Sequence, residues 1–213
     1  MTVKKNPQEL PTILRFRLKK AGTKILLFFI FATSISHPFE ARGNSKFDSA
    51  FYHIAVNLAG SDVSKALHSA DSLFLASIDD LERIRSKMLL ASLQSQIGKR
   101  DNAIQNAIDA EVMASNHDWH DWQARICGFL STQFRNAGMI KEGSHYLEKG
   151  LKASSLLTSP EEMHRLSGLA YQEKAYYAML EKKNREAIEF LLNSENRFEQ
   201  LPDDRNKFFF LAT

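Results

Sequence analysis

Asn116-His117-Asp118-Trp119-His120-Asp121-Trp122 is the stretch of this chain that most resembles a metal-binding segment. His117 and His120 stand three apart, a spacing that shares a helical face, with Asp118 and Asp121 beside them. A zinc site needs three or four converging ligands, commonly one from a distant part of the chain. The alternative is an interhelix turn. Asn116, His117 and Asp118 are then turn and capping residues, Asp118 or its neighbour opens the next helix, and Trp119 and Trp122 seed its apolar face. The turn is the better match, so neither a metal nor a cofactor is expected. His53, His68, His145 and His164 are scattered singly among helical stretches. There is no Gly-rich phosphate loop, nucleophile elbow or paired-carboxylate arrangement, and no enzymatic activity is expected. Cys127 is the only cysteine, so no intramolecular disulfide can form and packing must hold the fold. Its neighbours Ile126, Phe129 and Leu130 point to a buried thiol acting as a small hydrophobe rather than a nucleophile.

From Asp48 onward the apolar residues recur with helical period and no alternating strand pattern appears. Four helix pairs are expected, at roughly 48–59 with 62–75, 80–97 with 101–115, 119–137 with 141–155, and 160–181 with 185–199. Small residues recur where two antiparallel helices would touch: Ala66, Ala103, Gly143 and Ala187, spaced by 37, 40 and 44 residues. The last three each follow a turn in similar local text, Ile97-Gly98-Lys99-Arg100-Asp101-Asn102, Ala137-Gly138-Met139-Ile140-Lys141-Glu142 and Glu181-Lys182-Lys183-Asn184-Arg185-Glu186. Recurrence at this length marks an α-helical solenoid, in which each hairpin buries its apolar face against its neighbours. Ser159-Pro160-Glu161-Glu162 is a helix start with a capping box. Asp101 is placed to cap the helix carrying Ala103, Ala107 and Ala110, with Ile104, Ile108 and Val112 filling the flanks of that small-residue face.

Leu90-Ala91 and Leu130-Ser131 in first helices, Phe134 after the second pair, then Ala103 with Ala110 and Gly143 with Gly150 in second helices, form a pattern that resembles the tetratricopeptide repeat. Gln94 stands where one aromatic would be, Lys174-Ala175 replaces one Leu-small pair, and the spacings exceed the family's usual length of about 34. The resemblance covers about residues 48–200 and implies an all-α, TPR-like helical-hairpin solenoid of about four pairs. It also implies a peptide groove lined by the first helix of each pair. The matching positions are Arg85, Met88, Ser92 and Gln96, then Arg125, Thr132, Arg135 and Asn136, then Gln172, Tyr176 and Met179. Arg125 and Arg135 lie ten residues apart, nearly three turns, and roughly share a face. There they could take an acidic side chain or a peptide C-terminal carboxylate through bidentate hydrogen bonds. Alternatively they are solvated charges paired with Asp121 or Glu142.

The net charge of +3 conceals an uneven distribution. Residues 1–36 hold seven Lys/Arg against Glu9 alone, whereas the remainder holds 21 basic and 24 acidic residues. A mildly acidic body is a poor polyanion binder, so no nucleic-acid partner is expected. In the leader, Lys19, Lys20 and Lys24 precede the apolar run Ile25–Ile35. Eleven such residues are too few to span a bilayer, which takes roughly 20. With Ala32, Ser34 and Ser36 near a cleavage point they fit a signal peptide. A short membrane anchor is the alternative, and it would be the chain's only membrane contact. Residues 1–36 are thus a leader, 37–47 a linker and 48–213 the helical array, expected in the periplasm. Long repeats behind an export signal resemble the sensor halves of bacterial membrane-bound helix-turn-helix regulators. The expected function is therefore a non-catalytic protein- or peptide-binding sensor module, with a stand-alone scaffold or adaptor as the alternative. Leu201-Pro202-Asp203-Asp204 starts a further helix whose Phe208, Phe209, Phe210 and Leu211 are strongly apolar. The expectation is an incomplete last repeat with this patch open to a partner; the alternative is that it packs on the preceding hairpin.

Overall fold

The computed structural model describes residues 45–202, which form eight helices packed in an antiparallel array with no strand among them. The leader, most of the linker and Phe208–Leu211 lie outside the described residues. Helix α1 (Ser45–Tyr52) runs on into a π-helical stretch, His53–Leu58. It is followed by α2 (Val63–Ala76), α3 (Asp80–Gln96), α4 (Arg100–Asn116) and α5 (His120–Asn136). The last three are α6 (Ile140–Ser155), α7 (Pro160–Leu180) and α8 (Asn184–Glu199). Each helix packs on its sequence neighbours, and α5 also touches α7. The odd-numbered helices are the first members of successive pairs, the even-numbered helices the second. Among the described residues, no helix is long and apolar enough to cross a membrane.

Two kinds of turn join the helices. The turns before α2, α3 and α7 use side-chain caps. Asp62 accepts from the Lys65 amide at 2.9 Å, Asp79 from the Glu82 amide at 2.8 Å, and Ser159 from the Glu162 amide at 3.3 Å. Glu82 also reaches back to accept from the Ile78 amide at 2.9 Å, so the α3 start is held from both directions. The turns before α4, α5, α6 and α8 instead place one residue at positive φ: Gly98, Asp118, Gly138 and Lys182 at 79°, 53°, 77° and 61°. The next amide then reaches the carbonyl five residues back: Lys99 to Gln94, Trp119 to Ala114, Met139 to Phe134 and Lys183 to Ala178, at 2.8–3.1 Å. This closure satisfies carbonyls at the helix end that would otherwise lack a donor. One sequence expectation is corrected here. Asp101 does not cap α4; the cap position is Lys99, and Asp101 sits in the first turn, where its charge favours the helix N-terminus. At α5 the cap position falls to Asp118's neighbour Trp119, with Asp118 itself in the left-handed turn position and the helix beginning at His120.

The core lies between successive helices. Ile84, Met88, Leu89, Leu90 and Leu93 of α3 and Ile126, Phe129 and Leu130 of α5 are buried. Facing them is a row of small residues, Ala103, Ala107, Ala110 and Ala114, all fully buried, which lets α4 approach closely. Ile104 and Ile108 fill its flanks as expected, but Val112 does not, being half exposed. At Gly143 the approach is closer still. A Cβ there would collide with the Tyr177 hydroxyl and come within 3.1 Å of the Ser131 carbonyl. Gly150 lies against Cys127, whose Cβ would be 3.1 Å from a methyl at that position.

Candidate functional site

The helix positions that the repeat pattern assigns to a binding surface lie on α3, α5 and α7. Their arginines are engaged with carboxylates supplied by the next or previous odd-numbered helix. Arg85 of α3 donates to Asp48 of α1 at 2.6 Å, with its guanidinium over the rings of Phe47 and Phe51. Arg125 of α5 donates to Glu162 of α7 at 2.6 Å. Arg135, three turns further along α5, donates through Nε to Glu173 at 2.7 Å and through Nη2 at 3.3 Å, and lies over the Tyr176 ring. The partners are 37, 37 and 38 residues apart, close to one repeat, so each pair joins the first helices of adjacent repeats.

The two α5 pairs are largely withdrawn from water, whereas Asp48 in the first pair is 41% exposed. The Arg135 and Glu173 side chains are 14% and 9% exposed. Glu162 also accepts from Arg165 at 2.5 Å, so two guanidinium groups share one carboxylate. Burial, with Arg165 close by, holds the Arg125 guanidinium down to about 10 against the opposing pull of Glu162 and Asp121. Asp121 thus contributes to the field at Arg125, as the sequence suggested, but the carboxylates that organise the two α5 arginines come from α7. A ligand carboxylate at Arg135 would have to displace Glu173 and leave it buried without its cation, and one at Arg125 would have to displace Glu162, which Arg165 also holds.

The other expected surface positions are distributed along the same helices. Met88, Ser92 and Thr132 are buried, and Thr132 donates to the Gly128 carbonyl at 3.2 Å. Gln96 and Asn136 end α3 and α5 at equivalent positions, and with Gln172, Tyr176 and Met179 they are partly exposed. Burial, then the neighbouring Glu173, raises the Tyr176 hydroxyl above the usual phenol range, so it stays a neutral donor and acceptor.

The histidine segment forms the turn and first residues of α5. His117 pairs through Nε2 with Asp80 Oδ2 of α3 at 2.8 Å and stacks on Trp119, with ring centroids 4.4 Å apart. His120 meets Gln123 at 2.9 Å through Nδ1. The two imidazoles therefore serve different partners, and among the described residues no group of three or more His, Cys, Asp or Glu is arranged to hold a metal ion. Cys127 is fully buried, and burial, followed by the nearby Glu111 carboxylate, pushes its thiol up to about 12. A thiol so disfavoured as thiolate is a packing group.

Three residues at the odd-helix interfaces were not anticipated from the sequence. Glu162 and Glu173 are the carboxylates just described, and the available signal was their spacing of one repeat from an arginine. Tyr177 donates to the Ser131 carbonyl at 2.9 Å across α5 and α7, just where Gly143 of α6 leaves room. No periodicity in the sequence marks that contact. No protein-family model and no curated protein matches this chain.

Proposed function

We propose that this chain is a non-catalytic, exported helical-repeat module of tetratricopeptide type. It binds a protein or peptide along α3, α5 and α7 and serves as the sensor part of a transcriptional regulator. The observation that supports this is the cross-bracing of the odd-numbered helices by Arg85–Asp48, Arg125–Glu162 and Arg135–Glu173. Bracing at the repeat spacing gives these helices a fixed mutual register, and a preorganised surface loses little entropy when a partner docks. In the resembled family the same helices line the groove. With the arginines committed to the brace, recognition falls to Gln96, Asn136, Gln172 and Tyr176. The ligand is then a peptide read by amide and aromatic contacts more than by its charge.

The test is peptide display against the purified chain, followed by titration of the selected peptides. Asn136→Lys and Gln172→Lys are expected to weaken binding tenfold or more, and Val112→Lys on α4 to leave it unchanged. Failure to select any peptide, or equal weakening by all three variants, overturns the assignment. A second function, a stand-alone scaffold docking a partner at its C-terminal end, is favoured by one feature. Helix α8 leaves Ile188, Leu191 and Leu192 in water.

A further inference from the structure

The helices alternate in direction, so the turns after α3, α5 and α7 share one edge of the array and the turns before them share the other. The two edges differ in charge. On the first, residues 97–102, 137–142 and 180–186 hold the cations Lys99, Arg100, Lys141, Lys182, Lys183 and Arg185 against Asp101, Glu142, Glu181 and Glu186. All six cations are exposed. Lys183 pairs with Glu181 at 2.7 Å and Arg185 lies 3.5 Å from Glu189. Among the described residues, no ion pair or side-chain hydrogen bond holds Lys99, Arg100, Lys141 or Lys182. The turn before α2 adds Asp62 and Lys65, and so no net charge. On the opposite edge, residues 77–83, 116–121 and 156–162 hold seven carboxylates against one arginine, Arg83, with His117 and His120. Glu82 is buried at the start of α3, and Glu162 is held by Arg125 and Arg165. The other five, Asp79, Asp80, Asp118, Asp121 and Glu161, keep contact with water.

Both edges also hold large apolar side chains in water. On the basic edge Ile97, Met139 and Leu180 are 43%, 42% and 57% exposed, one at each turn. On the acidic edge Leu75 and Ile78 flank the turn before α3 at 83% and 72% exposure, and Leu156 begins the turn before α7 at 51%. Side chains this open add little to the core, and they stand beside the charges at the turns.

We propose that the basic edge of one copy of this chain docks on the acidic edge of a second copy. The charges of the two edges are complementary, and contact removes the apolar side chains of both from water. Setting an edge against the same edge of another copy brings like charges together, which disfavours a two-fold dimer through either one. The contact is therefore heterologous, and its repetition gives a ring or an open row of copies.

The experiment is sedimentation velocity on the full chain over a range of concentrations. The wild-type chain is expected to associate past the dimer at low salt and to dissociate at molar salt, where the screening length falls to about 3 Å. Lys99→Glu/Lys141→Glu/Lys182→Glu reverses the basic edge, and Ile78→Lys/Asp118→Lys/Glu161→Lys reverses the acidic one. Each triple variant alone should stay monomeric, because its two edges then carry the same sign. Mixed one to one they should associate, since each keeps the native edge that the other needs, and association on mixing also shows that both are folded. Met139→Glu, a single change at an exposed position, should weaken wild-type association about tenfold or more by facing a carboxylate to the acidic edge. A wild-type chain that is monomeric at every concentration overturns the proposal, as does a mixture that stays monomeric. Full-strength association of Met139→Glu or of the basic-edge variant alone also overturns it, since another part of the chain would then make the contact.

Discussion

The α5–α6 and α7–α8 hairpins follow one plan but meet different surroundings. In α5–α6 both helices are covered from two sides. The second helix carries Gly at 143 because the Tyr177 hydroxyl and the Ser131 carbonyl take the room a methyl would need. In α7–α8 the equivalent position holds Ala187, 2% exposed, and Leu191, four residues on, is open. The α5 arginines are braced by α7, whereas Arg185 of α8 is 93% exposed and only 3.5 Å from Glu189 of its own helix. Residues at matching positions thus differ in worth according to what the following repeat supplies.

The sharpest way to break this comparison is to make the two small positions alike. Gly143→Ala should cost about 3 kcal/mol in chemical denaturation, because the added methyl meets backbone and a hydrogen-bonded hydroxyl. Adding Tyr177→Phe should recover part of that loss, giving a favourable coupling in the double-mutant cycle. Additive effects would mean that Tyr177 is not what keeps the position a glycine.

A smaller effect separates the two arginines. Arg135→Ala should destabilise by about 2 kcal/mol, since it leaves Glu173 without its cation in a nearly dry site and removes the stacking on Tyr176. Arg185→Ala should leave the denaturation midpoint where it is, as expected for an exposed pair. If Arg135→Ala proved equally silent, the guanidinium would be available to a ligand carboxylate and the brace would lose its main support.

The smallest effect sharpens the comparison at the turns. Gly138 and Lys182 hold the same left-handed position, at φ 77° and 61°. Lys182→Gly should stabilise by about 0.5 kcal/mol, the relief of side-chain crowding slightly exceeding the added freedom of the unfolded chain. A lowered thermal midpoint would show that the Lys182 side chain contributes a contact that offsets its backbone cost.

Much of the fold was legible because its determinants are local. Helix limits came within three residues from the 3.6 period, and two of the four left-handed turns carry a glycine, Gly98 and Gly138, the other two holding Asp118 and Lys182. The misreadings were also local in origin. Asp101 has good capping chemistry, but the closing hydrogen bonds of the turn shift the cap to Lys99. The surface arginines were found by position, yet their partners were sought within a few residues, whereas packing places them a full repeat away.

The amino-acid sequence by itself determined that the chain is helical, where its helices begin and end, and which small residues sit at helix contacts. Hydrogen bonding within a helix and side-chain volume depend on neighbours three to five residues away. Tertiary structure alone decided that Arg125 and Arg135 brace α5 to α7, that Gly143 must lack a side chain, and that Ile188, Leu191 and Leu192 are exposed on α8. The two braces and the Tyr177–Ser131 hydrogen bond beside Gly143 join groups 37 to 46 residues apart, which only stacking of one hairpin on the next brings into reach.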